Sequence, residues 1–354
     1  MQRILVTGGA GFIGSCFIRR LMLQTNTSVL NFDKLTYAGH RESIPDPPPG
    51  RYQFVHGAVE DHVAVQAALD SFQPTAVVHF AAESHVDRSI DSPAPFVDTN
   101  VVGTVSLLQE VRQYLASKPQ NKKATFRFVH ISTDEVYGSL GDDGSFDENS
   151  PYRPNSPYAA SKAASDLFVR SFVETYQFPG LIVHASNNYG PYQLPEKLIP
   201  LMILRTMNRQ SLPVYGDGQQ IRNWIHVEDT CEAIEKVLAK GIVGSTYNIG
   251  GEMEITNLQL VKRICDLVDQ HLTRSGSQKL ISFVPDRPGH DRRYALDSTL
   301  AQRELNWKPS RDFEHALNQT VLWYLRPNPW LDIVTRDPFL AERHGQLPDS
   351  ETNR

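Results

Sequence analysis

A hydroxyl and two adjacent carboxyl groups form the first cluster that could carry out acid–base chemistry. Thr133, Asp134 and Glu135 directly follow residues 126–131, which are apolar and β-branched and therefore predict a buried strand. In open α/β sheets, ligands bind beyond the carboxyl ends of the strands. Two neighbouring carboxylates at such a place suit an acid and a base that act on adjacent atoms of one substrate.

A tyrosine and a lysine form the second cluster. Tyr158 and Lys162 are four residues apart, so on a helix they share one face, one turn from each other. An ammonium group beside a phenol favours the phenolate, and we expect it to lower the pKa of Tyr158. Alone, this spacing more often marks an exposed helix face. Beside the two carboxylates it predicts that Tyr158 accepts a proton from a sugar or alcohol hydroxyl.

A nucleotide-binding pattern stands near the start of the chain. Gly8, Gly11 and Gly14 follow a short apolar strand and lead into an apolar-periodic helix. Such glycines permit a tight turn and let the main chain approach a pyrophosphate, which the helix N-terminus attracts. Asp33 ends the second predicted strand, about 20 residues later, where a carboxylate accepts from the ribose 2′-hydroxyl and repels a 2′-phosphate. We therefore predict NAD rather than NADP.

Alternating strands and helices must hold these groups. The predicted strands are 4–7, 29–32, 52–56, 75–80, 126–131 and 181–185, and the predicted helices between them include 62–72, 95–116 and 157–176. This alternation predicts an α/β fold with a Rossmann-type, doubly wound parallel sheet. We place an NAD-binding domain with the catalytic residues at 1–190 and a smaller α/β substrate-binding domain at 191–326, some of whose elements could return to the first. The tail, 327–354, has no functional interpretation.

Composition excludes several classes of protein. The chain has 354 residues and a formal net charge of −5, without the basic footprint of a nucleic-acid-binding protein. Cys16, Cys231 and Cys265 are far apart and form no C-x-x-C pair, so we predict neither a disulfide framework nor a metal site. No signal-peptide pattern or apolar run of about 20 residues is seen. We expect a cytoplasmic protein that binds small molecules, with no membrane partner.

The motifs together resemble a known family. Residues 132–138 (STDEVYG), 81–89 (AAESHVDRS), 187–191 (NNYGP) and 286–291 (DRPGHD) are similar to segments of the dTDP-glucose 4,6-dehydratases, within the extended short-chain dehydrogenase/reductase superfamily. The resemblance extends from residue 3 to about residue 323. It implies conversion of dTDP-glucose to dTDP-4-dehydro-6-deoxy-glucose with a tightly bound NAD, by a protein that is usually a homodimer.

The resemblance also implies a role for each catalytic residue. Tyr158 would remove the C4 hydroxyl proton while C4 is oxidised, and Thr133 would hydrogen-bond the C4 oxygen. Glu135 would take the C5 proton, and Asp134, as an acid, would protonate the departing C6 hydroxyl. Lys162 would hold the ribose and tune Tyr158. The residues themselves fit this chemistry, because elimination needs an acid and a base at adjacent carbons.

Binding residues carry over in the same way. The implied cofactor contacts are Gly8, Gly11, Phe12, Ile13, Gly14, Asp33, Lys34, Leu35, Thr36, Ala58, Val59, Ala81, Ala82, Ser84, Thr99, Tyr158, Lys162 and Asn187. The implied nucleotide-sugar contacts are Ser84, Thr133, Asn188, Lys197, Leu198, Pro213, Tyr215, Arg222, Asn257, Asp286, Arg287 and His290. One position departs from the family, which usually has an aspartate under the adenine where this chain has Ala58. Either Asp61 or a main-chain carbonyl replaces that acceptor, or the adenine is held more loosely.

Related activities remain as alternatives. A dehydratase or 4-epimerase could act on another nucleotide sugar, linked to UDP or CDP. A 4-epimerase needs the Tyr158–Lys162 pair but no acid and base after Thr133, so Asp134 and Glu135 argue against it. Dehydratases of GDP-mannose usually have serine in place of Asp134 and prefer NADP. A catalytically silent dinucleotide-binding protein would not need to retain these side chains.

Overall fold

A seven-stranded, wholly parallel sheet organises the computed structural model, which describes residues 2–336. Its strands are β1 (Arg3–Thr7), β2 (Ser28–Asp33), β3 (Tyr52–His56), β4 (Ala76–His79), β5 (Arg127–Thr133), β6 (Gly180–Ala185) and β10 (Thr246–Ile249), in the order β10-β6-β5-β4-β1-β2-β3. The strand order reverses between β1 and β4, the crevice where doubly wound sheets bind ligands. The predicted Rossmann-type fold is confirmed.

Helices cover both faces of this sheet. They are α1 (Phe12–Gln24), α2 (His62–Phe72), α5 (Thr104–Ala116), α7 (Pro157–Tyr176), α9 (Val227–Lys240) and α11 (Thr299–Leu305). Successive strand residues point to opposite faces, so Ile4 and Val6 pack with α1 and α9, whereas Leu5 packs with α2 and α5. Both faces of the sheet are covered by apolar clusters, which explains why these strands have largely hydrophobic sequences.

The helix predicted over 95–116 differs from its predicted form. After α3 (Val86–Asp91) comes one turn, α4 (Ala94–Phe96), then a π-helical stretch, Val97–Gly103, and then α5. The stretch contains Asn100, whose amide donates to the Glu83 carbonyl (3.0 Å) and to Ser161 Oγ (2.8 Å). Apolar residues at helical spacing do not distinguish a short π-helical stretch from an α-helix, so the periodicity of the sequence does not reveal it. A further short helix, α6 (Gln120–Thr125), lies between α5 and β5.

The second half forms a smaller layer against the carboxyl ends of the strands. It contains a three-stranded sheet of β7 (Asn187–Tyr189), β9 (Ile221–His226) and β11 (Met253–Thr256), and a pair of β8 (Leu212–Tyr215) with β12 (Ile281–Val284). Their core also includes α8 (Leu198–Met207), α10 (Asn257–His271), α12 (Phe313–Leu325) and α13 (Pro329–Val334). β10, in the segment predicted as mainly substrate-binding, belongs to the large sheet.

The end of the chain is partly described. In α13, Trp330 Nε1 donates to Ser43 Oγ at 2.8 Å, which fastens the start of the predicted tail to the first half. The rest of that tail, 337–354, lies outside the described residues. Within residues 2–336, no helix combines the length and the apolar character needed to cross a membrane.

Candidate active site

One cavity runs along the carboxyl ends of the central strands and collects most of the predicted cofactor residues. Those that line it are Gly8, Gly11, Phe12, Ile13, Gly14, Asp33, Lys34, Thr36, Val59, Ala81, Ala82, Ser84, Thr99, Tyr158, Lys162 and Asn187. Thr133, Asp134 and Glu135 line its other end. The structure therefore brings the nucleotide pattern and both reactive clusters into a single crevice.

The glycine turn leaves no room for side chains. Gly8 has φ +69°, and a Cβ there would lie 2.5 Å from the Ala81 nitrogen. A Cβ on Gly14 would lie 2.3 Å from the Gly8 carbonyl oxygen. Glycine is therefore required at both positions, and the turn at the start of α1 presents main chain to a ligand. This is the cradle that a dinucleotide pyrophosphate needs, so the residues fit the group.

Asp33 is held rigidly at the end of β2. Its Oδ2 accepts from the Ala10 amide and its Oδ1 from the Leu35 amide, each at 2.8 Å. Burial raises the pKa of this carboxyl, and the two amide hydrogen bonds oppose that rise. Leu35, with φ +53°, does not line the cavity; the left-handed turn directs its amide towards Asp33 instead. Leu35, a predicted cofactor contact, thus acts through its main-chain amide, which positions Asp33.

Ala58 also lies outside the residues that line the cavity. Its carbonyl accepts from the Asp61 amide at 3.0 Å, and the Asp61 side chain caps α2 by accepting from Val63 and Ala64. The Ala58 carbonyl and the Asp61 side chain, the nearest substitutes for the missing aspartate, therefore already accept hydrogen bonds within the protein. The residues beside Ala58 that do face the cavity are Gly57, Val59 and Glu60.

The carboxylate pair occupies a 3₁₀ turn, Asp134–Tyr137, which begins where β5 ends. Asp134 is 1% exposed, and its Oδ1 accepts from Thr133 Oγ1 at 3.2 Å. Burial, together with the charge of Glu135, raises its pKa to about 8, although Arg222 opposes the shift. Burial also raises the pKa of Glu135, against Arg222 and Arg287. Asp134 is thus a protonated acid at neutral pH, next to a carboxyl that the two arginines favour in its charged form.

Tyr158 and Lys162 occupy the first turns of α7 and face the same cavity. Burial, and next the charge of Glu135, raises the pKa of Tyr158, so the predicted lowering is wrong for this structure. The reason is that Lys162 Nζ donates to the Ile131 carbonyl at 2.7 Å, while burial dominates at the phenol. Burial also lowers the pKa of Lys162 to about 8, and Asp166 opposes this.

A buried polar network lies behind Lys162, and no motif in the sequence indicates it. Asp166 Oδ2 accepts from Ser132 Oγ (2.8 Å) and lies 3.0 Å from His184 Nε2, while its Oδ1 lies 3.3 Å from His130 Nε2. The same His130 nitrogen is 3.4 Å from Lys162 Nζ. These histidines hold the pKa of Asp166 well below its usual range, so a permanent negative charge lies one helical turn from Lys162.

A second cavity adjoins the first and collects most of the predicted nucleotide-sugar residues. Those that line it are Ser84, Asn188, Lys197, Leu198, Pro213, Tyr215, Arg222, Asn257, Arg287 and His290, and Glu135 and Asn187 line both cavities. Buried side-chain oxygens of Asn188 and Asn257 have no hydrogen-bond partner among the described residues. Unpaired buried acceptors are costly unless a ligand satisfies them, so this surface fits a polar molecule.

Asp286 does not line the second cavity but supports it from behind. Its Oδ1 lies 2.6 Å from His290 Nδ1, and its Oδ2 accepts from Gln220 at 3.0 Å. Among the lining residues that were not predicted as contacts are Asp87, which is paired with Arg287 (3.1 Å), and Tyr294, whose ring lies under Arg222. Asp87 stands inside a quoted motif and could have been found, whereas Tyr294 lies in no recognised pattern.

Comparisons with known proteins agree with this geometry. The family model described as GDP-mannose 4,6 dehydratase matches residues 5–320. A dTDP-glucose 4,6-dehydratase of Xanthomonas campestris pv. campestris is 50% identical over 349 residues, which cover 98% of this chain and 99% of the relative. The dTDP-glucose 4,6-dehydratase 1 of Escherichia coli is 49% identical over 344 residues, or 94% of this chain and 95% of the relative.

Solved structures give the same result. A dTDP-glucose 4,6-dehydratase from Streptomyces venezuelae, crystallised with NAD and TYD bound, has a TM-score of 0.86 at 44% identity, covering 94% of this chain and all of that chain. A UDP-glucose 4-epimerase from Thermotoga maritima has a TM-score of 0.81 at 27% identity, covering 92% of this chain and 99% of the epimerase. On identity and coverage together, the chain belongs to the dTDP-glucose 4,6-dehydratase family.

Proposed function

We propose that this chain converts dTDP-glucose to dTDP-4-dehydro-6-deoxy-glucose. The observation that carries the proposal is the position of Asp134 and Glu135. They stand side by side where the dinucleotide cavity meets the second cavity, one neutral and the other opposite two arginines. An elimination between adjacent carbons needs an acid and a base in this arrangement. A 4-epimerisation needs the Tyr158–Lys162 pair but no such second acid and base.

The chain's own residues would move three protons. Tyr158 accepts the proton of the C4 hydroxyl, with Thr133 hydrogen-bonded to the same oxygen. Glu135 takes the proton from C5, which the C4 ketone has made acidic, and C5 receives a proton again when the hydride is added to C6. Asp134 gives its proton to the C6 hydroxyl, which leaves as water. Bound NAD would supply the hydride acceptor for C4 and the donor for C6, and the positive charge of its nicotinamide ring would favour the phenolate of Tyr158.

Charged residues on the far side of the second cavity would bind the nucleotide diphosphate. Arg222 and Arg287 line the second cavity together with Glu135, and both act electrostatically on its carboxyl group. Arg222 is fixed by its hydrogen bond to the Asp291 carbonyl (3.0 Å) and by its contact with Tyr294, and Arg287 is fixed by Asp87. Guanidinium groups held in this way suit bidentate contact with phosphate oxygens.

We further propose a homodimer formed through α7 and the helical segment 94–116, which follows β4. Four large apolar side chains on these elements are exposed: Val97 (48%), Val102 (52%), Leu167 (56%) and Phe168 (40%). An apolar patch of this kind on adjacent helices favours a partner surface. The Leu167→Glu variant should sediment as a monomer, while Leu23→Glu, at a more exposed leucine on α1 (85%), should remain dimeric. A monomeric parent protein would contradict this proposal. The cytoplasmic location stays a prediction.

Product formation tests the proposed reaction. Purified protein is incubated with dTDP-glucose, with and without added NAD, and the 4-keto-6-deoxy product is followed by its absorbance in alkali. We expect product from the parent protein and from Glu42→Gln, an exposed control, but a loss of about 100-fold or more in Glu135→Gln. A folded protein that binds NAD and yields no product from dTDP-glucose would contradict the substrate assignment, and UDP-glucose would then be tested.

A further inference from the structure

Glu60 is a carboxylate of the dinucleotide cavity that has no role in the proposed reaction. It lines the cavity after β3, and its Oε1 lies 2.5 Å from Lys34 Nζ. Its other oxygen, Oε2, is buried and has no hydrogen-bond partner among the described residues. A buried carboxylate oxygen can accept a strong hydrogen bond, and leaving it unpaired is costly. Oε2 is therefore suited to a donor on a ligand.

The position of Glu60 identifies which part of a dinucleotide would supply that donor. Tyr158 and Thr133 mark the reactive end of the cavity, after β5, and Asp33 marks a ribose at the end of β2. The adjacent edge strand is β3, and the residues after it, from Gly57 to Glu60, lie beyond Asp33 on the side away from Tyr158. The base attached to this ribose would therefore meet Val59 and Glu60.

Adenine offers a suitable donor in its exocyclic 6-amino group. The two alternatives beside it are less suited: Ala58 has no side-chain acceptor, and Asp61, whose Oδ1 caps α2, does not line the cavity. Lys34 holds Oε1, which fixes the carboxylate and directs Oε2 as the remaining acceptor. Val59, 3% exposed, provides an apolar neighbour for the base.

We propose that Glu60 accepts a hydrogen bond from the 6-amino group of the adenine of bound NAD, and so supplies the acceptor that Ala58 lacks. This inference rests on the proposed use of NAD. It assigns a specificity role to one residue: Glu60 favours a 6-amino purine and disfavours a purine with a carbonyl at that position, because two acceptors would then face each other.

Exchange of bound nucleotide tests the assignment without measuring activity. Purified protein is equilibrated with an excess of NAD and nicotinamide hypoxanthine dinucleotide in equal amounts, freed of unbound nucleotide, and analysed by mass spectrometry for the ratio bound. Hypoxanthine differs from adenine in carrying a carbonyl in place of the 6-amino group. We expect the parent protein to retain NAD over the hypoxanthine analogue by about tenfold or more, the usual effect of one hydrogen bond to a charged group.

Variants assign the preference to Glu60. Glu60→Ala should bind the two dinucleotides about equally, and Glu60→Gln should show a reduced preference because an amide can either accept or donate. Adding Ala58→Asp to Glu60→Ala should restore the preference for NAD, whereas the exposed control Glu42→Ala should leave it unchanged.

The possible results of this experiment separate the role of Glu60 from the use of NAD. Equal binding by the parent protein, or an unchanged preference in Glu60→Ala, would overturn the role of Glu60 while leaving the use of NAD intact. Retention of neither dinucleotide by the parent protein would overturn both the role of Glu60 and the proposed cofactor.

Discussion

Replacing Asp134 with asparagine should make the protein more stable at alkaline pH while removing its acid. The carboxyl group is almost fully buried, and its pKa is about 8 instead of the ordinary 3.8. Because the folded-state pKa is raised, Asp134 is tolerated well at low pH, and its contribution is lost as the pH rises towards about 8. Asparagine has a similar shape and stays neutral, so it avoids this loss.

The magnitude follows from the shift. Between the two pKa values the parent protein loses about 1.4 kcal/mol per pH unit relative to the variant. From about pH 5 to about pH 8 the free energy of unfolding of the parent should therefore fall by roughly 3–4 kcal/mol more than that of Asp134→Asn. Turnover of dTDP-glucose by the variant should meanwhile fall by about 100-fold or more.

Urea unfolding measures this difference. Both proteins are unfolded at several pH values, at one protein concentration and with saturating NAD, because ligand and assembly otherwise shift apparent stability. Asp143→Asn, at an exposed loop carboxylate, is the matched control and should follow the parent protein. Parallel stability curves for parent and Asp134→Asn would refute the reasoning, since they would mean that Asp134 ionises in the folded protein as it does in the unfolded chain.

Three further substitutions test other parts of the site. Tyr158→Phe should retain NAD, measured by nucleotide content, but lose activity by about 100-fold or more; near-parent turnover would exclude Tyr158 as the proton acceptor. Asp166→Asn should shift the alkaline limb of the pH–rate profile, which reports the ionisation of Lys162, to lower pH. The reason is that the variant lacks the anion that raises the pKa of Lys162 against the effect of burial. An unchanged profile would show that the titration of Lys162 does not depend on Asp166. Asp33→Ala should narrow the binding preference for NAD over NADP, measured by titration, by about tenfold; an unchanged preference would contradict the repulsion argument.

Local patterns account for the parts of the site that the sequence predicted. The glycine turn, Asp33 and the Thr133–Glu135 run each depend on a few consecutive residues next to a strand, so composition and spacing identify them. The parallel sheet follows from the same alternation. The pairing of β10 with β6 could not be predicted in this way, because β7, β8 and β9 lie between these two strands in the chain.

Three-dimensional contacts explain what the sequence could not supply. Asp166 appears on an ordinary helical sequence, and only the arrival of His130 and His184 from two strands makes it a permanent buried anion. The pKa of Tyr158 was predicted with the wrong sign because proximity to Lys162 along the helix does not report burial. Glu60 likewise has no motif, and its role emerges only from an unpaired oxygen inside the cavity.

The central claim is that one hydride leaves C4 and returns to C6 of the same sugar, with water lost between these steps. The most direct test uses dTDP-glucose deuterated at C4, with the position of the label in the product determined by NMR. We predict deuterium in the C6 methyl group of a 4-keto product. Deuterium that remains at C4 of an epimerised sugar, or that is lost to solvent, would contradict the proposed reaction.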